Sequence, residues 1–180
     1  LRILGIKDNK INQELLTKDE IKLIVKESSQ RIPKSHEDMI VNMLDLEKVK
    51  VEDAMIPRSE VYAVDIDDDL AVITKKLTTS KHTRIPIYHQ DINKLLGFLH
   101  KRKVMEMIVT NNFSKDFIKE AVSQPYYIPE DTSLTSQLIS FKKERKRIGC
   151  VVDEYGDVKG LVTLNDILEE IVGEFSDDNK

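Results

Sequence analysis

The sequence predicts an α+β fold in which two tandem β-α-β-β-α repeats pack as a pseudo-twofold pair, preceded by a short helical segment. Three observations predict it. The first is an internal repeat. Arg84-Ile85-Pro86-Ile87-Tyr88 aligns with Arg147-Ile148-Gly149-Cys150-Val151, and Gly97-Phe98-Leu99-His100 aligns with Gly160-Leu161-Val162-Thr163, both at a spacing of 63 positions without a gap. The second is periodicity. Leu70, Ile73 and Leu77 in one half, and Leu134, Leu138 and Phe141 in the other, recur at helical spacing between segments that read as strands. The third is size: a unit of about 60 residues buries little core alone, so the two halves should pack together.

Composition narrows the function classes. The 180 residues carry a formal charge of −4, so nothing suggests the basic field of a nucleic-acid partner. Hydrophobic residues make up 40%, enough to supply a core. A single cysteine, Cys150, excludes an internal disulfide and suits a reducing compartment. No apolar run approaches the roughly 20 residues of a membrane span and no stretch reads as a signal peptide, so neither is expected in this sequence. The chain opens on Leu1 rather than methionine, which suggests a piece of something longer.

Residues 1–48 read as a helical connector. Leu1–Ile6 looks like linker cut from a preceding segment. Thr17-Lys18-Asp19-Glu20 is a capping-box pattern, and Ile21, Ile24 and Val25 follow at helical spacing, giving a helix over about 17–30. Pro33 interrupts the pattern. Ser35-His36-Glu37-Asp38 caps a second helix in the same way, with Met39, Ile40, Met43 and Leu44 as its buried face and Leu46 near its end. His36 has no second ligand at a useful spacing, so solvent or a local cap accounts for it better than metal.

The repeats occupy 49–110 and 111–180. Each opens on a short strand, Val61–Val64 or Tyr126–Ile128. Strands over 84–89 and 95–99 are joined at Asp91-Ile92-Asn93, and those over 148–152 and 158–162 at Glu154-Tyr155-Gly156-Asp157, as hairpins. The second half closes on Gly160-Leu161-Val162-Thr163-Leu164-Asn165-Asp166. A strand ending this way puts a hydroxyl, a carboxylate and helix N–H groups on one patch, which suits a ribose and its phosphates. The same Thr163-x-x-Asp166 is also a capping box that needs no ligand. Both readings stand at this point.

Two such units, the second ending Gly-h-h-Thr-x-x-Asp, resemble a tandem cystathionine-β-synthase (CBS) domain pair, or Bateman module. Asp53-Ala54-Met55-Ile56-Pro57-Arg58 resembles the opening D-V-M-T-P-R motif of the CorC/CNNM family. Asp153-Glu154-Tyr155-Gly156 and the run Gly160–Glu174 resemble that family's closing signature. Leu15-Leu16-Thr17-Lys18-Asp19-Glu20 stands where members join a membrane domain to the CBS pair. The resemblance covers nearly the whole chain and implies a cytosolic regulatory module of a haemolysin-related membrane protein linked to magnesium and cobalt transport. The acidic end, Ser176–Lys180, fits a fragment cut at a domain junction.

Such a module implies an adenine nucleotide, ATP or AMP, with any Mg²⁺ carried by its phosphates. Asp166 would accept from the ribose hydroxyls, as an acid does in dinucleotide folds. Thr163 and the helix start would meet the phosphate. The resemblance places Arg84, from the opposite repeat, as a guanidinium clamp on the anion. By analogy Tyr126, Tyr127, Arg147 and Ile148 line the adenine slot, the last two through main chain; the tyrosines read equally as plain strand residues, one in and one out. The first half carries His100 and Lys103 where the second has Thr163 and Asp166, and a lysine cannot accept from a ribose. One nucleotide per chain is therefore expected. Met55 and Arg58, at the mouth of the first half, either assist or simply pack.

The basic run Lys142–Arg147 reads as a solvated helix end that can also attract a polyphosphate. Asp65, Asp67, Asp68 and Asp69 read as caps and solvated loop without an organised metal set. His82, His89 and His100 form no triad, and Cys150 sits in an apolar strand, so no enzyme is expected. Homodimerisation through the repeats is common among CBS pairs. A structural dimerisation module without nucleotide is therefore the alternative.

Overall fold

The computed structural model describes residues 16–28 and 31–173. The expected connector Leu1–Ile6 and acidic end Ser176–Lys180 lie outside those residues, as do Leu15 and Glu174. Two helices lead, α1 (Lys18–Glu27) and α2 (Lys34–Asp45). The first half runs α3 (Val51–Ala54), β1 (Ile56–Pro57), a 3-10 turn (Arg58–Glu60), β2 (Val64–Asp65), α4 (Leu70–Thr79), β3 (Arg84–His89), β4 (Asp91–His100) and α5 (Lys101–Val109). The second runs α6 (Lys115–Ala121), β5 (Tyr127–Pro129), α7 (Leu134–Glu144), β6 (Ile148–Val152), β7 (Val158–Thr163) and α8 (Leu164–Val172). The α+β architecture is the one expected. In each half a short strand lies parallel to one arm of an antiparallel hairpin: β2 beside β3–β4, and β5 beside β6–β7.

Periodicity did not announce that the halves exchange their opening segments. β1 belongs to the first half in sequence but pairs with β7 of the second, Ile56 opposite Leu161 and Pro57 opposite Gly160. Reciprocally, Ser123 follows α6 and bridges Phe98 on β4. The cores exchange as well. Val51, Ala54 and Met55 pack with Ile128, Leu134, Phe141 and Val162, while Ile118 of α6 is buried among Val64, Ile73, Leu77 and Leu99. Each half is completed by the other, which is how two small units share enough burial to be stable.

The paired glycines of the repeat permit this exchange. A Cβ on Gly160 would stand 2.2 Å from the Ile56 carbonyl oxygen, and one on Gly97 would stand 2.0 Å from that of Ser123. Gly97 also has a φ of 151°, which a side chain resists. Between the sheets, Leu95, Phe98, Cys150, Val158 and Leu161 form a third apolar cluster. Burial there pushes the Cys150 thiol up to about 12, so it holds no thiolate at neutral pH.

Several elements depart from expectation. In α1 the capping box is present, with Thr17 N–H donating to Glu20 Oε2 at 2.7 Å. The helix stops at Glu27, where Ser28 Oγ donates to the Ile24 carbonyl at 2.8 Å and closes the last turn. The α2 helix is not capped by Ser35. Pro33 precedes it, and its carbonyl accepts from His36 and Glu37 at 3.0 and 3.1 Å, without a side-chain cap. Proline suits a helix start because its missing N–H would be unpaired there anyway.

The buried face of α2 is met in part: Met39 and Leu44 are half-buried and Leu46 is buried, but Ile40 and Met43 are not on it. Met43 is 60% exposed and Ile40 39%, whereas Glu37 is buried and Val41 and Leu44 are half-buried. The stripe toward the protein is 37-41-44, and Asn42 Nδ2 donates to the Ile171 carbonyl of α8 at 3.3 Å. Strand β2 begins at Val64 rather than Val61 because residues 58–60 coil first, with Val61 N–H returning to the Arg58 carbonyl at 3.3 Å. The first hairpin reverses at Gln90, whose φ is 61°, so Asp91–Asn93 already belong to β4.

Candidate functional site

Strand β7 delivers Thr163 to the start of α8, where it serves as N-cap. Its Oγ1 accepts from Asp166 N–H at 3.3 Å, and its own N–H donates to Asp166 Oδ2 at 2.7 Å. The capping box is therefore complete without a ligand. It occupies one carboxylate oxygen; Oδ1 has no protein donor among the described residues. The helix start is also less open than expected. Leu164 N–H donates to the Arg147 carbonyl at 3.0 Å and Asp166 N–H is taken by Thr163, which leaves Asn165 N–H for the cleft.

Facing this corner across the seam is the first half. A cavity of about 500 Å³ lies between them, lined on one side by Arg147, Ile148, Leu161, Thr163, Asn165 and Asp166. Its other wall is Glu60, Val61, Tyr62, Lys81, His82, Thr83, Arg84 and Pro86. The exchange of opening segments explains the arrangement: β1 on β7 brings residues 58–62 of one half alongside Thr163 of the other. Lys81, Arg84 and Arg147 make no ion pair among the described residues. Three unpaired cations around one hollow favour an anion, and guanidinium groups can fork onto phosphate oxygens.

Of the residues assigned to the site from sequence, Thr163, Asp166, Arg84, Arg147 and Ile148 line this cavity together. Tyr126 and Tyr127 do not. The Tyr126 ring packs on Phe141 at a centroid distance of 5.9 Å, in the second-half core, and its carbonyl accepts from Cys150 N–H at 2.8 Å. Tyr127 points the other way and is 49% exposed. The aromatic ring on the cavity wall comes from the opposite half instead. Tyr62 stands there, its hydroxyl donating to the Lys76 carbonyl at 2.8 Å and its ring centroid 5.6 Å from that of His82.

The counterpart corner of the first half is built differently. His100 caps α5, its Nδ1 accepting from Arg102 N–H at 3.1 Å, so the helix starts without any carboxylate. Burial, then the charges of Arg84 and Arg102, hold the His100 imidazole below its ordinary value. Lys103 pairs with Glu106 at 3.0 Å.

Three carboxylates of the acidic run are occupied locally. Asp68 pairs with Lys76 at 2.8 Å, Asp67 with His89 at 2.7 Å, and Asp65 Oδ1 accepts from Asp67 and Gln90 N–H groups. Among the described residues no group of three His, Cys, Asp or Glu could hold a metal ion, and no helix is long and apolar enough to cross a membrane.

Comparison with known proteins agrees with this architecture. The CBS domain family profile matches residues 51–110 and 116–173. The UPF0053 inner membrane protein YfjD of Escherichia coli is 40% identical over 98% of this chain, which spans 41% of that protein. The magnesium and cobalt efflux protein CorC of Pasteurella multocida is 31% identical over 92% of this chain, which spans 55% of it. The CBS domain of the bacterial CNNM/CorC family Mg²⁺ transporter superposes with a TM-score of 0.81 at 28% identity, covering 91% of this chain and all of that one. The same family's CBS domain in complex with ATP gives 0.71 at 29% identity, covering 77% and 98%. A CBS-domain pair with bound AMP from Klebsiella pneumoniae gives 0.66 at 43% identity, covering 69% and 99%.

Proposed function

The chain belongs to the CBS-domain family, as a tandem pair of the CorC/CNNM group, and on that premise we propose that it is a regulatory module that binds an adenine nucleotide between its repeats. The observation that carries this is the cavity in which Asp166 and Thr163 of one half face Arg84 and Lys81 of the other. Asp166 Oδ1 accepts from ribose. Arg84 and Arg147 receive phosphates, any Mg²⁺ arriving with them. The base lies toward Tyr62, Pro86, Ile148 and Leu161. In this reading residues 1–48 are a connector, and 49–110 and 111–180 are the repeats.

The parent is a membrane protein linked to Mg²⁺ or Co²⁺ transport, with this module on the cytoplasmic face and paired as a homodimer. Nucleotide shifts the relative placement of the repeats, and α1 and α2 relay the shift to the transmembrane domain. That requires the ligand to prefer one arrangement over another. The role is regulatory, not catalytic. The complete capping box favours a second reading, a purely structural dimerisation module.

Calorimetric titration with ATP and with AMP, with and without Mg²⁺, separates the two. The binding reading predicts one nucleotide per chain and at least about a tenfold loss of affinity in Asp166→Ala, the scale of a charged hydrogen bond. No heat with either nucleotide would leave the structural module, whereas equal affinity in the variant would remove the ribose role assigned to Asp166.

A further inference from the structure

The segment 58–63 is a partition between two hollows. Glu60, Val61 and Tyr62 face the candidate nucleotide cleft, whereas Arg58, Val61 and Ala63 line a second cavity of about 340 Å³ on the other side. The segment has few hydrogen bonds of its own, and Val61 alone packs it onto the cluster of Leu95, Phe98, Cys150, Val158 and Leu161. Within it the 3-10 turn closes on one backbone bond, Val61 N–H to the Arg58 carbonyl, and Tyr62 is tied outward to Lys76.

Its other end is held by side chains. Arg58 Nη1 donates to Asn93 Oδ1 at 3.1 Å and to the Val158 carbonyl at 3.3 Å, and Nη2 donates to Asp91 Oδ1 at 3.2 Å. Asn93 Oδ1 also accepts from Val158 N–H at 2.9 Å, while its Nδ2 donates to Asp157 Oδ1 at 3.1 Å. One amide therefore joins the β3–β4 hairpin to the β6–β7 hairpin, and one guanidinium joins both hairpins to the cleft wall. Each bond alone is weak where it is partly exposed. Bonds that share two central residues stand or fall together.

We propose that Arg58 and Asn93 form an inter-repeat latch that sets the position of the wall Glu60–Tyr62, which makes Arg58 a positioning residue for the ligand of the cleft. The latch rests on the bonds above; its effect on ligand rests on the nucleotide reading. Because coupling is reciprocal, ligand in the cleft also tightens the latch and so draws the two hairpins together. This gives nucleotide a route to the relative placement of the repeats.

The test compares wild type, Arg58→Ala, Asn93→Ala and the double variant. Amide hydrogen exchange is read without ligand, and ATP affinity is then read by calorimetry. The latch predicts faster exchange at residues 60–63 and at Val158 in every variant, and ATP affinity lower by about fivefold. The double variant should be no worse than the stronger single one, because both residues act through one unit. Unchanged exchange would overturn the latch, and faster exchange with unchanged affinity would overturn the positioning role. If Asn93→Ala fails to fold, Asp157→Ala removes only the Asn93 Nδ2 acceptor and is read in the same way. Wild type that binds no ATP would remove the nucleotide reading alone, and exchange would then decide the latch.

Discussion

Two helix starts occupy equivalent places in the two halves, α8 behind Thr163 and α5 behind His100. Both are capped by the side chain of the preceding residue, and both send their first N–H to the carbonyl ahead of the neighbouring strand, Arg147 for Leu164 and Thr83 for Lys101. Only one carries an acid at the third helical position. Since α5 starts well with a histidine cap and Lys103 in that place, the repeat does not need a carboxylate to begin its helix. The carboxylate of Asp166 is therefore more than the fold demands. Its cap and its ribose role are compatible, because the cap uses Oδ2 and leaves Oδ1.

The comparison can be broken first at the glycines, which tie each half to the other. Ala at Gly97 would set its Cβ 2.0 Å from the Ser123 carbonyl oxygen at a φ of 151°, whereas at Gly160 the Cβ would stand 2.2 Å from the Ile56 carbonyl oxygen without that backbone strain. Overpacking of this kind costs about 1–3 kcal/mol, and strain at Gly97 adds to it. Urea denaturation should find Gly97→Ala the more destabilised, by about 3 kcal/mol or more. Equal, small effects would mean that the exchanged segments are loosely seated.

The caps come next. Thr163→Ala removes an acceptor from Asp166 N–H and should cost about 1 kcal/mol in the same assay. His100→Ala should cost less, because histidine stands outside the strongly preferred N-cap residues, among which threonine counts. If the two losses were reversed, the first-half corner would be the better built.

The smallest effect is in pH. His100 is held below its ordinary value of 6.5, so the unfolded chain binds its proton more readily than the folded one. Stability should therefore be full above about 6.5 and fall as pH drops from there through the folded value. Removing Arg102, one of the named causes, should bring the NMR titration midpoint of His100 upward. A midpoint already above 6.5 in wild type would contradict the corner as described.

Much of this was legible in the residues. The 63-position repeat located both hairpins, and the Thr163–Asp166 spacing located the cap. What stayed hidden is non-local. The exchanged helices α3 and α6 have four and seven residues, too few for a period to declare which face is buried or against what. Nothing local distinguishes Tyr62, which reaches the cleft, from Tyr126, which packs into a core. The face of α2 has a similar cause: spacing put Ile40 and Met43 in a core stripe with Met39 and Leu44, but Ile40 and Met43 stand exposed while Glu37 and Val41 turn inward.

The central claim, one nucleotide held between the halves by an acid from the second and an arginine from the first, is tested most directly by solving the structure with ATP bound. The account predicts a single molecule per chain, its ribose on Asp166 and its phosphates on Arg84 and Arg147. Nucleotide bound instead at the His100–Lys103 corner, or absent at saturating concentration, would contradict it.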